Sequence, residues 1–129
     1  MYRTLFFGLL LLSIACKRED PVEVIEESEP LCYELNLRFE EINSLSNSKT
    51  CTDSSIWEYT AYGSKACGGP QGYIAYSTEL DVADFLQKVK EYTELEEEYN
   101  RKTGIVSTCI LPAEPSDVAC KSGEPAFLY

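Results

Sequence analysis

The sequence predicts an α+β fold: a small, mostly antiparallel sheet packed against one long and one shorter helix and stapled by disulfides. Three observations carry this. Two stretches keep apolar residues on one helical face, Leu31, Leu35, Phe39, Ile42 and Leu45 in the first, Val82, Phe85, Leu86, Val89, Tyr92, Leu95 and Tyr99 in the second. Two short runs between them, IWEYTAY at 56–62 and YIAYS at 73–77, are aromatic and β-branched. The chain has six cysteines in 129 residues, a density typical of exported small domains that oxidise their thiols.

In the first helix, Pro30 suits the opening turn and Ser28 the cap, and the pattern fades among the small polar residues at 44–50. In the first strand, Trp57, Tyr59 and Ala61 share one face, and Ile56, Glu58, Thr60 and Tyr62 the other. The connection to the second strand, GSKACGGPQG at 63–72, holds four Gly and one Pro in ten residues and reads as a structured loop. The second helix is the clearest element. Asp81 caps it, Asp84 completes an imperfect capping box, Arg101 and Lys102 complement its negative end, and Gly104 stops it. Glu97–Arg101 and Glu98–Lys102 are i,i+4 pairs in the favourable order. Further strands are expected in 105–111, around Val118 and in 126–129, separated by Pro112 and Pro115.

Eleven basic against 22 acidic residues give a formal charge of −11, and histidine is absent. A basic nucleic-acid-binding face is therefore not expected. Ser-His-Asp and Cys-His catalysis and His-ligated zinc are excluded. The run Glu94, Glu96, Glu97, Glu98 lacks the order of a calcium loop, and its residues point in different directions, so it reads as a solvated helix face. No CxxC spacing exists, so no metal and no cofactor are expected, and no catalytic residue stands out.

The N-terminus has one positive side chain, Arg3, then the apolar stretch 5–15, too short to span a bilayer core of ~30 Å, then Cys16 behind a small residue. This resembles a bacterial lipoprotein signal, with Ser13 where the family pattern usually has Leu. The resemblance implies removal of residues 1–15, lipidation of Cys16 with palmitate-type chains, and attachment to a membrane. Lys17, Arg18, Glu19 and Asp20 resemble the tag that sends Bacteroidota lipoproteins to the outer face of the outer membrane. Processing would leave 114 residues with a charge of −12, so acyl chains rather than charge would hold the protein to its membrane. Residues 16–30 then read as the lipidated Cys and an acidic disordered tether, with six acids and two Pro in 17–30, and residues 31–129 as one globular domain.

With Cys16 lipidated, five cysteines remain. Cys51, Cys67, Cys109 and Cys120 lie beside turn or strand signals and are expected in two disulfides, leaving Cys32 over. Of the three connectivities, Cys67–Cys109 with Cys51–Cys120 is preferred, because the first would staple the glycine-rich loop to the segment behind the long helix. Each bridge is worth roughly 3–5 kcal/mol, in a domain whose total stability is ~5–15 kcal/mol. The loop itself is the candidate recognition element, with Ser64 and Lys65 as polar tips, Gly68, Gly69 and Pro70 as rigid backbone, and Tyr62 and Tyr73 as the rim. The competing interpretation is a purely structural turn.

Trp57, the run 63–70, the run 73–77, Tyr99-Asn100, Ser107-x-Cys109 and Cys120 together resemble a group of small Bacteroidota lipoproteins and secreted proteins. The resemblance implies location and disulfides but no reaction. Members often have Ser-Asp-Cys at Ser107-Thr108-Cys109, and some carry an extra cysteine near Pro125, whose loss here would leave Cys32 without a partner. These features lead to an expected function: a lipid-anchored, non-enzymatic envelope binding module, steered by its charge toward a basic protein partner. An inhibitor of a basic extracellular enzyme is one concrete form. Ser64-Lys65 is similar to the loop of acidic lipoproteins that inhibit c-type lysozyme, although those are all-β barrels and the long helix here argues otherwise. A structural outer-membrane component and a carboxylate-dependent glycan hydrolase are the alternatives, the latter needing two acids ~5–10 Å apart in a cleft.

Overall fold

The computed structural model describes residues 23–129, with side chains from residue 29 onward. The signal at 1–15, Cys16 and the tag at 17–20 lie outside the described residues. The described chain runs α1 (Glu23–Ser46), a 3-10 turn (Ser54–Ile56), β1 (Trp57–Tyr62), β2 (Gly72–Ser77), α2 (Val82–Thr103), β3 (Asp117–Lys121) and β4 (Glu124–Leu128). The α+β class is as the sequence predicts. The sheet is divided, however, into two separate antiparallel ribbons, β1–β2 and β3–β4.

The β1–β2 ribbon organises the fold because its two faces differ. Trp57 pairs with Ser77 and Tyr62 with Gly72, so residues alternate cleanly between faces. Tyr62, Ile74 and Tyr76 face the helices and join Leu35, Ile42, Phe85, Val89 and Tyr92 in one apolar cluster. Trp57, Tyr59 and Ala75 face the other way and join Cys51, Val118 and Phe127. The ribbon is thus a middle layer between a helix pair and the β3–β4 hairpin. A lone two-stranded ribbon is marginal in water, and cover on both faces removes that weakness.

The two helices pack antiparallel. Arg38 Nη1 lies 2.9 Å from Glu91, and Lys88 Nζ 3.0 Å from Glu41, so the partners ascend one helix while descending the other. These bridges are about half-exposed and contribute little to stability. The buried stripe of Phe85 and Ile42, 1 % and 0 % exposed, does the stabilising. Ser46 Oγ donates to Ala75 O at 2.5 Å, which ties the end of α1 to β2.

Helix α2 has the predicted ends. Asp81 accepts from Asp84 N at 3.1 Å, and Gly104 adopts φ 62° with its N–H bonded to Asn100 O. The pair Glu98–Lys102 closes at 2.9 Å. Helix α1 departs from expectation. It begins at Glu23, so part of the predicted disordered tether is helical, and Ser28 and Pro30 lie inside the helix rather than at its start. An acidic run is suited to a helix N-terminus, where negative side chains oppose the positive end of the macrodipole. The tether reading of composition misses that.

The predicted strand at 105–111 is also corrected, because that stretch has no regular structure. Its residues have strand-like composition but lie along the 63–72 loop, with Lys65 Nζ on Ile110 O and Gly69 against Leu111. Strand propensity reports a fit to a pleated neighbour, which is missing here. The other two predicted strands exist and pair, Val118 opposite Phe127 and Ala119 opposite Ala126. Ser122 and Gly123 turn them at φ 52° and 83°, the two positive values that a two-residue hairpin requires. Cys51 and Cys120 form the predicted disulfide and bind this hairpin to the start of the ribbon layer.

Candidate functional site

Where the helix pair, the end of β1 and the glycine-rich loop meet, the apolar layer opens into a cleft of about 420 Å³. Helical periodicity builds two of its walls. Cys32, Leu35, Asn36 and Phe39 lie within two turns of one face of α1, and Tyr92, Glu96, Tyr99 and Asn100 occupy one face of α2. Tyr62 closes the back. Ala66 and Gln71 of the loop, and Ile105 and Ser107 behind α2, close the sides.

The floor is aromatic. Phe39 lies 5.6 Å from both Tyr62 and Tyr92, and Tyr62 lies 6.3 Å from Tyr92, all in tilted ring contacts. Glu96 is the one carboxylate among the described lining residues. Its Oε2 accepts from Ser64 N at 2.6 Å and its Oε1 from Gln71 Nε2 at 3.3 Å. Burial raises the Tyr92 phenol well above the ordinary tyrosine range, and the Glu96 charge adds to this. Burial and then Glu96 raise Tyr62 in the same way. Both rings therefore stay neutral while Glu96 supplies the local negative charge.

Glu96 belongs to a clamp that sequence reasoning missed. Thr93, Glu96 and Asn100 stand at i, i+3 and i+7 on α2. Thr93 Oγ1 accepts from Gly63 N at 2.9 Å, Glu96 takes Ser64 N, and Asn100 Nδ2 donates to Ser64 O at 2.7 Å. Three polar residues at helical spacing thus satisfy the backbone as it leaves β1. The predicted solvated acidic face holds for Glu94 and Glu97, which are exposed, and fails for Glu96. Gly63 is required here: its φ is 74°, and a Cβ would lie 2.5 Å from Glu96 Oε2.

None of the predicted recognition residues, Ser64, Lys65, Gly68, Gly69, Pro70 and Tyr73, is among the described residues that line this cleft. Ser64 is held by the clamp. Lys65 Nζ donates to Ile110 O at 2.6 Å, pinning the loop to the segment behind α2. Ser64, Lys65 and Gly68 wall a second cavity of about 360 Å³, which shares Ala66, Asn100 and Ile105 with the first. Gly69 lies against Leu111, and Pro70 is half-buried. Tyr73 lies on the opposite face of the ribbon, edge-on to Tyr59 at 5.9 Å. The first cavity takes Ala66 and Gln71 from the loop, two residues whose types give no sequence signal.

The expectation of two disulfides is corrected: Cys67 and Cys109, the other predicted pair, are exposed free thiols and not a bond, and Cys32 is a further exposed thiol, in the cleft wall. Among the described residues no three thiol or carboxylate groups gather as a metal site, and no helix is long and apolar enough to cross a membrane. No family model, curated protein or solved structure matches this chain.

Proposed function

We propose that the protein is a non-enzymatic binding module of the cell envelope, anchored by lipid on Cys16 at the outer-membrane surface, and that the α1–α2 cleft takes its ligand. One observation carries the binding reading. Among its described lining residues the cleft has an aromatic floor, a few fixed polar groups and a single carboxylate, the composition of a recognition pocket. The rings suit an aromatic or aliphatic body. Glu96 suits a neutral or cationic polar end and opposes an anion, as does the net charge of the chain. A basic protein offering such a side chain meets the same requirements.

Saturation-transfer NMR on the mature chain with 2-phenylethylammonium and phenylacetate tests the ligand class. Saturable binding of the cation, weaker binding of the acid, and loss of binding in Tyr99→Ala support it. No saturable binding, or equal binding of both ions, contradicts it. Mass spectrometry of protein extracted from membranes tests the anchor separately. Acyl mass on Cys16 supports it, and an unmodified or uncleaved Cys16 contradicts it.

A further inference from the structure

Among the described residues, the bonded Cys51 and half-buried Cys120 differ in environment from the free Cys67 and Cys109. Cys51 is 2 % exposed, among Trp57, Ala75 and Val118, and its backbone N–H is bonded to Gly123 O at 2.8 Å. Cys67 and Cys109 are both exposed. Cys67 occupies the tip of a tight turn closed by Lys65 N to Gly69 O at 2.9 Å and Gly68 N to Lys65 O at 2.8 Å. Cys109 lies on the segment that this turn is fastened to, through Lys65 Nζ on Ile110 O and Gly69 against Leu111. Two backbone segments in contact therefore carry the two thiols side by side at the surface, with Ser107 of the second segment 3.7 Å from the Cys67 sulfur.

We propose that Cys67 and Cys109 form a reversible thiol–disulfide couple that exchanges with low-molecular-weight disulfides and thiols, while Cys51–Cys120 stays closed. Exchange requires a thiolate that can reach the attacked sulfur, and an exposed pair allows this where a buried one does not. The surroundings separate the two roles. The Cys109 thiol lies beside the Cys67 sulfur, to which the Ser107 hydroxyl donates at 3.7 Å. Together they hold the Cys67 pKa below the ordinary thiol value, with Lys65 nearby adding to the effect. Cys109 is held above it, chiefly by the neighbouring Cys67.

The Cys67 thiolate attacks one sulfur of R–S–S–R, forming a Cys67–S–S–R bond and releasing RS⁻, which takes up the proton that Cys67 gave to solvent. Cys109 then loses its proton and attacks the Cys67 sulfur, expelling the second RS⁻, which is protonated in turn. Two protein thiols are oxidised to one disulfide, and the small disulfide is reduced to two RSH. The closed bond would fix residues 105–107 against the loop at the cleft mouth. The couple itself is independent of what the cleft binds.

Equilibrating the mature chain in glutathione buffers of graded redox ratio, then quenching, alkylating and peptide-mapping, tests this. The expected result is that Cys67–Cys109 opens and closes across buffers in which Cys51–Cys120 remains oxidised. Both pairs reducing together, Cys67 and Cys109 never joining, or Cys32 taking the place of either sulfur would overturn it. Reaction with an aromatic disulfide reagent at neutral pH tests the roles. Cys109→Ser should trap the mixed disulfide on Cys67, and Cys67→Ser should slow the initial reaction about tenfold. Equal initial rates in the two variants overturn the assignment. The wild-type titration carries the test if a variant does not fold.

Discussion

The two faces of the β1–β2 ribbon solve the same problem differently. On the hairpin side, Trp57, Ala75 and Val118 are sealed by a short hairpin and the Cys51–Cys120 bond, which joins residues 69 apart in sequence. On the helix side, the cover is two helices, and the apolar layer opens beyond Tyr62 and Tyr92 into the cleft. A covalent strap suits a face with little area to bury. A face covered by 22 residues of α2 and the stripe of α1 has area to spare, and can leave a cavity open. The closed face is covalently braced, and the open face holds the cleft.

Breaking either cover should be costly. Cys51→Ser should lower stability by about 4 kcal/mol, read as the urea midpoint, because it frees a long loop in the unfolded chain. Phe85→Ala should cost a similar ~3–5 kcal/mol by leaving a void under the helices. The comparison predicts different consequences for the cleft. Below its unfolding transition the Cys51 variant should keep ligand binding, and the Phe85 variant should lose part of it. Identical binding losses would show that the two faces are not separable.

Gly63→Ala should come next, at about 2 kcal/mol, from a positive φ and contact with Glu96 and Gln71. Its distinguishing effect is that the loop should leave α2, seen as faster amide exchange at Ser64 with Trp57 unaffected. Glu96→Gln should cost about 1–2 kcal/mol, since it weakens a charge-assisted bond to Ser64 N. It should also lower the titration of Tyr62 and Tyr92, both of which Glu96 holds up, while burial keeps them above ordinary phenols. Ultraviolet titration of the phenolates reads this directly.

The smallest effect is alkaline. Tyr76, bonded to Glu58 at 2.8 Å, is pushed up to about 12 by burial and by that carboxylate. A phenol raised in the folded state contributes fully below its unfolded value of 10.0, and the contribution falls as pH rises toward about 12. Tyr76→Phe should therefore flatten the loss of stability over that window. An unchanged slope would mean that Tyr76 titrates as it does when unfolded.

The sequence is most legible where its signals are local. Asp81, the apolar stripe and Gly104 define α2 without reference to the rest of the chain. Alternation in 56–62 assigns Trp57 and Tyr62 to opposite faces, whereas the Cys51–Cys120 pairing is one of three connectivities that the spacing alone leaves open. The misreadings occur where the outcome depends on a partner. Residues 105–111 look like a strand but lie irregularly against the 63–72 loop. The acids before Pro30 look like a tether but open a helix. Glu96 looks like one solvated acid among four, because its bonds to Ser64 and Gln71 reach across 32 and 25 positions. The spacing of Thr93, Glu96 and Asn100 was the available clue, and it has meaning only once the loop is known to lie there.

An amide-resolved NMR titration with 2-phenylethylammonium tests the central claim most directly, because it reports where binding occurs as well as whether it does. The account predicts shifts concentrated at Phe39, Tyr62, Glu96, Tyr99 and Ser107, with Trp57, Val118 and Phe127 unmoved. Shifts centred on the hairpin face, or spread evenly over the acidic surface, would contradict it.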